Sequence, residues 1–463
     1  MMIQGAMRKG ECLTAARAAL NGKSAIVVGL GSTGISVCRF LAKCGTRVVA
    51  TDSKKAEAIP GIDALAPMGV EVMAGGHSGI SVKGVDLVVV SPGVPYELPL
   101  LVEARAAGAE VISEVELAWR FMDAPVLAVA GTNGKTTVTT LLGEVLENSG
   151  LKVFVGGNIG TPAIEYIENG GGADECVLEI SSFHLETTRF FNPHIGILLN
   201  ITEDHLDRYR DFGHYAGTKL RLFENQSDDD YAIININDPE ITKRKIPGRG
   251  RRVPFTMEGK AEGGLFLEGG SIVHLFNGSK EEYPVEDIKL KGIHNIENVM
   301  SVIASARRAG APKEVISKTL SVFSGLHHRM ELVREFKGVR YIDDSKGTNI
   351  GALMMALKGL VGPVVLIAGG VDKGGDYRTL SALVREKVKL MVLLGEARFK
   401  INDALGGLAK TVLADSFEEA VKTAHNGAAP GDTVLLCPAC SSFDMFRNYK
   451  ERGERFAALV EAL

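Results

Sequence analysis

Residues 125–150 read PVLAVAGTNGKTTVTTLLGEVLENSG, and this stretch decides the fold. Its opening run is apolar and β-prone, as a strand buried on both faces requires. Gly131, Thr132, Asn133, Gly134, Lys135, Thr136 and Thr137 follow at once, and a helix-length segment then runs to Ser149 and Gly150. A strand that turns through glycines into a helix is half of a βαβ unit, and its loop amides and helix start suit a phosphate. Lys135 would reach the terminal phosphates and the Thr136 hydroxyl a Mg²⁺ ion. Val129 occupies the place of the first Walker glycine, and Gly131 stands only three residues before Gly134, so the loop is a shortened variant.

The pattern extends outward in both directions. Short β-branched runs bounded by glycine recur as SAIVVG (24–29), RVVATD (47–52) and DLVVVSPG (86–93). On the other side come ECVLEIS (175–181), HIGILLNIT (194–202), PVVLIAGG (363–370), LMVLLG (390–395) and DTVLLCP (432–438). Helix-length segments such as 34–45 and 294–310 lie between them, so the chain reads as α/β with parallel sheets. Three domains are expected: Rossmann-like over 1–114, a central P-loop-type domain over 115–325, and a second Rossmann-like domain over 326–463. Residues 253–291 break the rhythm with short strands and glycine turns, the pattern of a small antiparallel meander attached to the central domain.

Composition excludes several classes. Lys+Arg 52 against Asp+Glu 56 leaves a net charge of -4, which offers no footprint for nucleic acid or an anionic membrane. The six cysteines are too scattered for a disulfide framework, and no apolar run is long enough for a spanning helix. A cytoplasmic protein with neither a membrane nor a nucleic-acid partner is expected. The first 23 residues lack a signal-peptide apolar region and read as a short amphipathic helix or a frayed extension. Cys437 and Cys440 form a lone CPAC, read as a turn with two buried thiols in preference to half a zinc site. Glycine is the one excess, 54 of 463, and it points to turns that lie against ligands.

Gly29, Gly31 and Gly34 form G-x-G-x-x-G between a strand and a helix, with Asp52 closing the next strand. On that fingerprint a nicotinamide, another nucleotide and a turn with no dinucleotide all stay open. Ser91-Pro92-Gly93 ends a neighbouring strand and would add phosphate or sugar contacts. Glu179 closes ECVLEIS, where a parallel strand points its carboxyl end at a nucleotide. His205, flanked by Asp204 and Asp207, follows the strand 194–202; hard ligands there suit Mg²⁺, and a solvated or helix-capping histidine is the alternative.

GTNGKTT, GGNIG (156–160), LEISSFHLE (178–186), NITEDHLDRY (200–209), HNIEN (294–298), HHRME (327–331) and YIDDSKGTN (341–349) stand in one order. That order resembles the muramyl-peptide ligases, ATP-dependent amide ligases of the peptidoglycan precursor stem, with folylpolyglutamate synthetase as a relative. The glycine fingerprint resembles the UDP-binding domain of the two earlier ligases. Asn133 stands where the alanine-adding member usually has histidine, and the Asn-Pro-Arg motif of the diamino-acid-adding member is absent. DDSKGTN and CPACSSFDMFRNYKERG (437–453) look like the D-glutamate-adding branch. His327 and Tyr449 depart from its usual proline and phenylalanine.

The resemblance implies amide-bond formation between UDP-MurNAc-L-Ala and D-glutamate through an acyl phosphate, by a monomer that uses ATP and two Mg²⁺ ions. Lys135, Glu179, His205 and Lys219 would be catalytic, with Thr136 and Glu179 holding one ion and His205 and Lys219 the other. Lys219 would be carbamylated, since an ammonium repels Mg²⁺; read from its own residues it is a surface helix lysine. ATP would be held by the loop Gly131–Thr137 and by Asn295, Arg329, Asp344 and Lys346. UDP-substrate contacts would come from Ser32, Thr33, Asp52, Ser53, Ser91, Gly93 and Asn158. Thr348, Lys373, Ser442 and Phe443 would form the D-glutamate pocket, where Lys373 suits a dicarboxylate. Closure of the third domain on the others is expected when nucleotide binds. A nicotinamide dehydrogenase leaves GTNGKTT, Glu179 and His205 without roles. A regulatory P-loop ATPase leaves DDSKGTN unexplained, and a folylpolyglutamate-type ligase gives no reason for Gly29, Gly31 and Gly34.

Overall fold

The computed structural model describes residues 11–206, 208–290 and 292–463, with the side chain of His294 excepted. Residues 1–10 and Asp207, named above beside His205, lie outside the described residues; Cys12–Leu20 is a helix, as one reading of the N-terminal stretch has it. Among the described residues the strands form three sheets.

The first sheet contains β1 (Ser24–Val28), β2 (Arg47–Asp52), β3 (Glu71–Ala74), β4 (Leu87–Val90) and β5 (Glu110–Ser113), in the order β3-β2-β1-β4-β5 and parallel throughout. Chain direction across the sheet reverses between β1 and β4, the place where open α/β sheets take ligands.

The central sheet contains β6 (Val126–Ala130), β7 (Val153–Gly157), β8 (Glu175–Glu179), β9 (Ile195–Leu198), β10 (Tyr231–Asn235) and β11 (Arg251–Thr256). It continues through β12 (Leu265–Glu268), β13 (Ser271–Phe276) and β14 (Ser279–Pro284), in the order β14-β13-β12-β11-β10-β9-β6-β8-β7. The expected antiparallel meander is present as β12 to β14, with β11 alone departing from it. β11 pairs parallel with both β10 and β12, and only β12 to β14 run antiparallel, as the edge of the same sheet. Pairing across that edge is a matter of register, which glycine spacing does not encode.

The third sheet contains β15 (Glu331–Phe336), β16 (Val339–Asp343), β17 (Val364–Gly369), β18 (Val388–Leu394), β19 (Lys410–Leu413) and β20 (Thr433–Leu436). Its order is β15-β16-β20-β17-β18-β19, with β15 alone antiparallel. Apolar clusters cover both of its faces, which is why its central strands read as unbroken apolar runs.

The described chain divides into two compact units. One takes the chain through Asn200 with Ala216–Ile288 and Glu297–Ser321; the other takes Ile201–Tyr215, Lys289–Ile296 and Val322–Leu463. Among the described residues no helix is long and apolar enough to cross a membrane.

Candidate active site

β6 is wholly buried and lies between β8 and β9, so the loop that leaves its carboxyl end is held on both sides. Gly131 takes φ 152° and Gly134 φ 85°, a region in which an L side chain is strained. Gly134 caps the helix Lys135–Asn148 with no side-chain bond, the arrangement of an anion-binding helix start. Asn200, just beyond β9, braces the loop: it accepts from Thr132 N–H at its carbonyl (2.9 Å) and from Asn133 N–H at Oδ1 (2.8 Å). Its Nδ2 donates back to the Asn133 carbonyl at 3.1 Å.

Two ammonium groups converge on one carbonyl oxygen here. Lys135 Nζ donates to Gly131 O at 2.9 Å and to Thr132 O at 2.8 Å, while Lys219 Nζ donates to the same Gly131 O at 2.8 Å. Lys219, on the helix Phe212–Leu220, is 2% exposed, which corrects the reading of a surface lysine.

One strand over, Glu179 pairs in register with Val129 and is buried. Its Oε1 accepts from Asn158 Nδ2 at 2.9 Å, while its buried Oε2 receives no hydrogen bond. Asn158 N–H donates to the Glu179 carbonyl at 2.8 Å, so a residue assigned to substrate and one assigned to metal form a single element. Sequence reasoning passed over His184 in SSFHLE. It is fully enclosed, receives the Ser181 N–H on Nδ1 at 3.2 Å and donates its own N–H to Ser181 Oγ at 3.3 Å. Burial holds its imidazole down at about 4, with Glu179 pulling the other way.

In the first sheet, Asp52 Oδ2 accepts from Leu30 N–H at 2.6 Å and Oδ1 from Lys54 N–H at 2.8 Å, so its carboxylate shapes the turn. Ser91 Oγ donates to Gly29 O at 2.7 Å and ties the β4 turn to the glycine fingerprint across the switch point. A Cβ on Gly34 would lie 1.9 Å from that same Gly29 oxygen, which explains the glycine. Ser32 and Ser53 are exposed, Thr33 half-buried, and Gly93 takes φ 95° in the open.

The second unit holds His205, at φ 54°, with its N–H on Asp204 Oδ1 at 3.0 Å. Asp204 also accepts from Asn349 Nδ2 at 2.9 Å, and Lys373 Nζ lies 3.5 Å from it and 3.4 Å from Thr348 Oγ1. Thr348 and Lys373 are therefore brought together around Asp204, which the sequence analysis named only beside His205. Ser442 is buried, whereas Phe443 is 73% exposed. His205 and Lys219, assigned by resemblance to one ion, belong to different units.

Asn295 and Asp344 are buried, and Lys346 Nζ lies 5.0 Å from the centre of the Tyr449 ring. Asp344 accepts from Met330 N–H at 3.2 Å and from the Cys437 thiol at 3.2 Å. Burial pushes its carboxyl up to about 6, while the thiol and Arg329 pull it back. Cys440 Sγ lies 3.1 Å from Tyr377 Oη, and burial raises its thiol to about 11, as befits two structural thiols.

Three family models match the chain in order: the Mur ligase MurD-like N-terminal domain over 23–113, the Mur ligase middle domain over 129–306, and the Mur ligase glutamate ligase domain over 328–440. A UDP-N-acetylmuramoylalanine–D-glutamate ligase of Geotalea uraniireducens is 47% identical, over 95% of this chain and 98% of its own. One of the same name from Geobacter metallireducens is also 47% identical, over 96% and 98%. Among solved structures, a pseudomurein peptide ligase type C from Methanothermus fervidus shares the fold at TM-score 0.61 and 19% identity, over 95% of this chain and all of that one. The UDP-N-acetylmuramate–alanine ligase of Thermotoga maritima does so at 0.58 and 20%, over 95% and 99%. With its asparagine-braced glycine loop, two lysines on one loop carbonyl and close relatives along nearly its full length, the chain belongs to the Mur ligase family.

Proposed function

We infer that this chain joins D-glutamate to the alanyl carboxylate of UDP-MurNAc-L-Ala, converting ATP to ADP and phosphate in peptidoglycan precursor synthesis. It acts as a monomer in the cytoplasm. The observation that carries the reading is Lys135 at the start of the helix that leaves the glycine loop, one strand from a buried carboxylate oxygen with no donor. Such a site suits a polyphosphate accompanied by a divalent cation.

The residues then divide by task. Loop amides and Lys135 hold the β- and γ-phosphates, positioning the γ-phosphoryl for the substrate carboxylate. Thr136 and Glu179 fit one Mg²⁺, because Glu179 Oε2 is an orphaned anionic oxygen; His205 and a carbamylated Lys219 would hold the other. What the ions supply when bound is neutralisation of charge where carboxylate meets phosphate. Asn158 keeps Glu179 oriented and offers its amide to the substrate. UDP would belong at the β1/β4 turns, where Gly29, Gly34 and Ser91 hold the two turns against each other at the switch point of the sheet. Asn295, Arg329, Asp344 and Lys346 are the remaining ATP contacts. Lys373 and Thr348 bind the side-chain carboxylate of D-glutamate, with Ser442 and Phe443 completing the pocket. Its amine then attacks the acyl phosphate, and phosphate leaves.

Mass spectrometry of the UDP product tests this directly. One glutamyl addition per ADP formed is expected, and ADP formation without a heavier UDP product would refute it.

A further inference from the structure

A helix leaves the glycine fingerprint, and another leaves the turn that carries Asn158. The helix Ser32–Lys43 starts at Gly31. The helix Ala163–Glu168 follows the 157–161 turn, which Gly157 N–H closes by donating to Thr161 O at 2.9 Å. Both helices lie in the first unit, one beside each turn assigned above to the UDP substrate.

Side chains join the two helices. Positions 36, 39 and 43 share one face of the first helix. Ser36 Oγ donates to Glu165 Oε1 at 2.6 Å. Arg39 grips Glu168 with two nitrogens, Nε to Oε1 at 3.3 Å and Nη2 to Oε2 at 3.0 Å, and its Nη2 also lies 3.3 Å from Glu165 Oε1. Lys43 Nζ joins Glu168 Oε1 from the next turn of the helix. Only 8% of the Glu168 side chain is exposed. Burial works against its charge, yet Arg39 and Lys43 hold its carboxyl below the usual range. An exposed lone ion pair orients little, whereas a bidentate arginine on an enclosed carboxylate fixes both partners. At the other end of the short helix, Glu114 Oε1 accepts from Ile164 N–H at 2.6 Å. Glu114 directly follows β5, so the chain leaving the first sheet holds that helix a second time.

We propose, on the assignment of the two turns made above, that Arg39 and Glu168 are positioning residues for the substrate. They set the spacing between the UDP turn and the Asn158 turn, so that one UDP-MurNAc-L-Ala molecule engages both. They act through the two helices and not by contact with the ligand. Once UDP is seated, the peptidyl end meets the Asn158 turn at an effective concentration that depends on how firmly the two turns are held together.

Titration of the full-length protein with UDP and with UDP-MurNAc-L-Ala reads this link as the ratio of two affinities. The wild type should bind the whole substrate about tenfold or more tightly than UDP. Arg39→Gln should cut that ratio about fivefold or more, while the affinities for UDP and for a non-hydrolysable ATP analogue stay within about twofold of wild type. The KM for UDP-MurNAc-L-Ala should rise with no matching rise in the KM for ATP. Exchanging the charges, Arg39→Glu with Glu168→Arg, should recover most of the ratio that Glu168→Arg alone loses. A contact that only stabilises the fold would lower the unfolding midpoint and leave the ratio unchanged, or weaken all three ligands together; either result would overturn the proposal. So would a wild type that holds UDP and the whole substrate equally well. A wild type that binds neither UDP compound would instead refute the substrate assignment itself. Lys43→Ala, at the exposed side of the same carboxylate, should give a smaller loss of the ratio and decides the matter where Arg39→Gln fails to fold.

Discussion

Gly134→Ala is the sharpest perturbation of the phosphate loop. At φ 85° an alanine is held in the left-handed region, which costs about 1–2 kcal/mol. Its Cβ would also stand 2.4 Å from Asn298 Oδ1 and 3.0 Å from Leu199 Cδ1, so two side chains that wall the loop must move. A further cost of about 1 kcal/mol brings the total to roughly 2–3 kcal/mol, a 30- to 150-fold loss of ATP affinity if the loop bears all of it. Calorimetric titration with a non-hydrolysable ATP analogue reads that number, and the same sample titrated with UDP-MurNAc-L-Ala is the control. The converse variant is Gly34→Ala. There the backbone is not left-handed, but the Cβ meets Gly29 O at 1.9 Å, so the first turn must open. UDP-substrate affinity should fall at least about tenfold while ATP binding is kept. Unchanged ATP affinity in Gly134→Ala, or equal losses of both ligands in either variant, would refute the assignment of the two turns.

Other outcomes follow from the same geometry. Lys135→Ala should lower turnover by about 10²–10³-fold or more and leave UDP-substrate binding intact, as read by kinetics and titration. Lys373→Ala should raise the KM for D-glutamate about tenfold or more, leaving the KM for ATP near wild type. A carbamate on Lys219 should appear as a bicarbonate-derived ¹³C resonance that is lost in Lys219→Arg. The buried His274 imidazole is held down at about 3, first by burial and then by Arg308. A histidine lowered in the folded state takes its proton on unfolding, so stability falls as pH drops below about 6.5. Between pH 7 and 5 this site should cost about 2 kcal/mol, a slope that His274→Gln flattens in denaturant titrations.

The sequence exposes what is local and hides what is assembled. Strands such as β6 and β17 are legible because burial on both faces leaves them unbroken apolar runs. The glycine turns are legible because backbone that turns at positive φ or packs against a neighbouring carbonyl excludes a Cβ. Asn200 braces the phosphate loop across 67 residues and the Asn298 side chain lies close against Gly134, and an asparagine after a strand or within a helix carries no sign of its partner. Lys219 looks like a surface lysine because FGHYAGTKL does not state which side of the helix meets Gly131. The acids of EVELAW mislead in the same way. Glu116 is buried and accepts the amides of Arg189, Phe190 and Phe191, while burial pushes Glu114 up to about 7 beneath the amide of Ile164. Acidic residues on a helix usually read as solvated, and only the fold shows the backbone groups they satisfy.

Phosphate release from ATP in the presence of UDP-MurNAc-L-Ala, compared across D-glutamate, L-glutamate, L-alanine and a diamino acid, tests the assigned reaction most directly. Release should be fast with D-glutamate, slight with the other three, and absent without the UDP substrate. Release that ignores D-glutamate, or that follows a diamino acid instead, would contradict it.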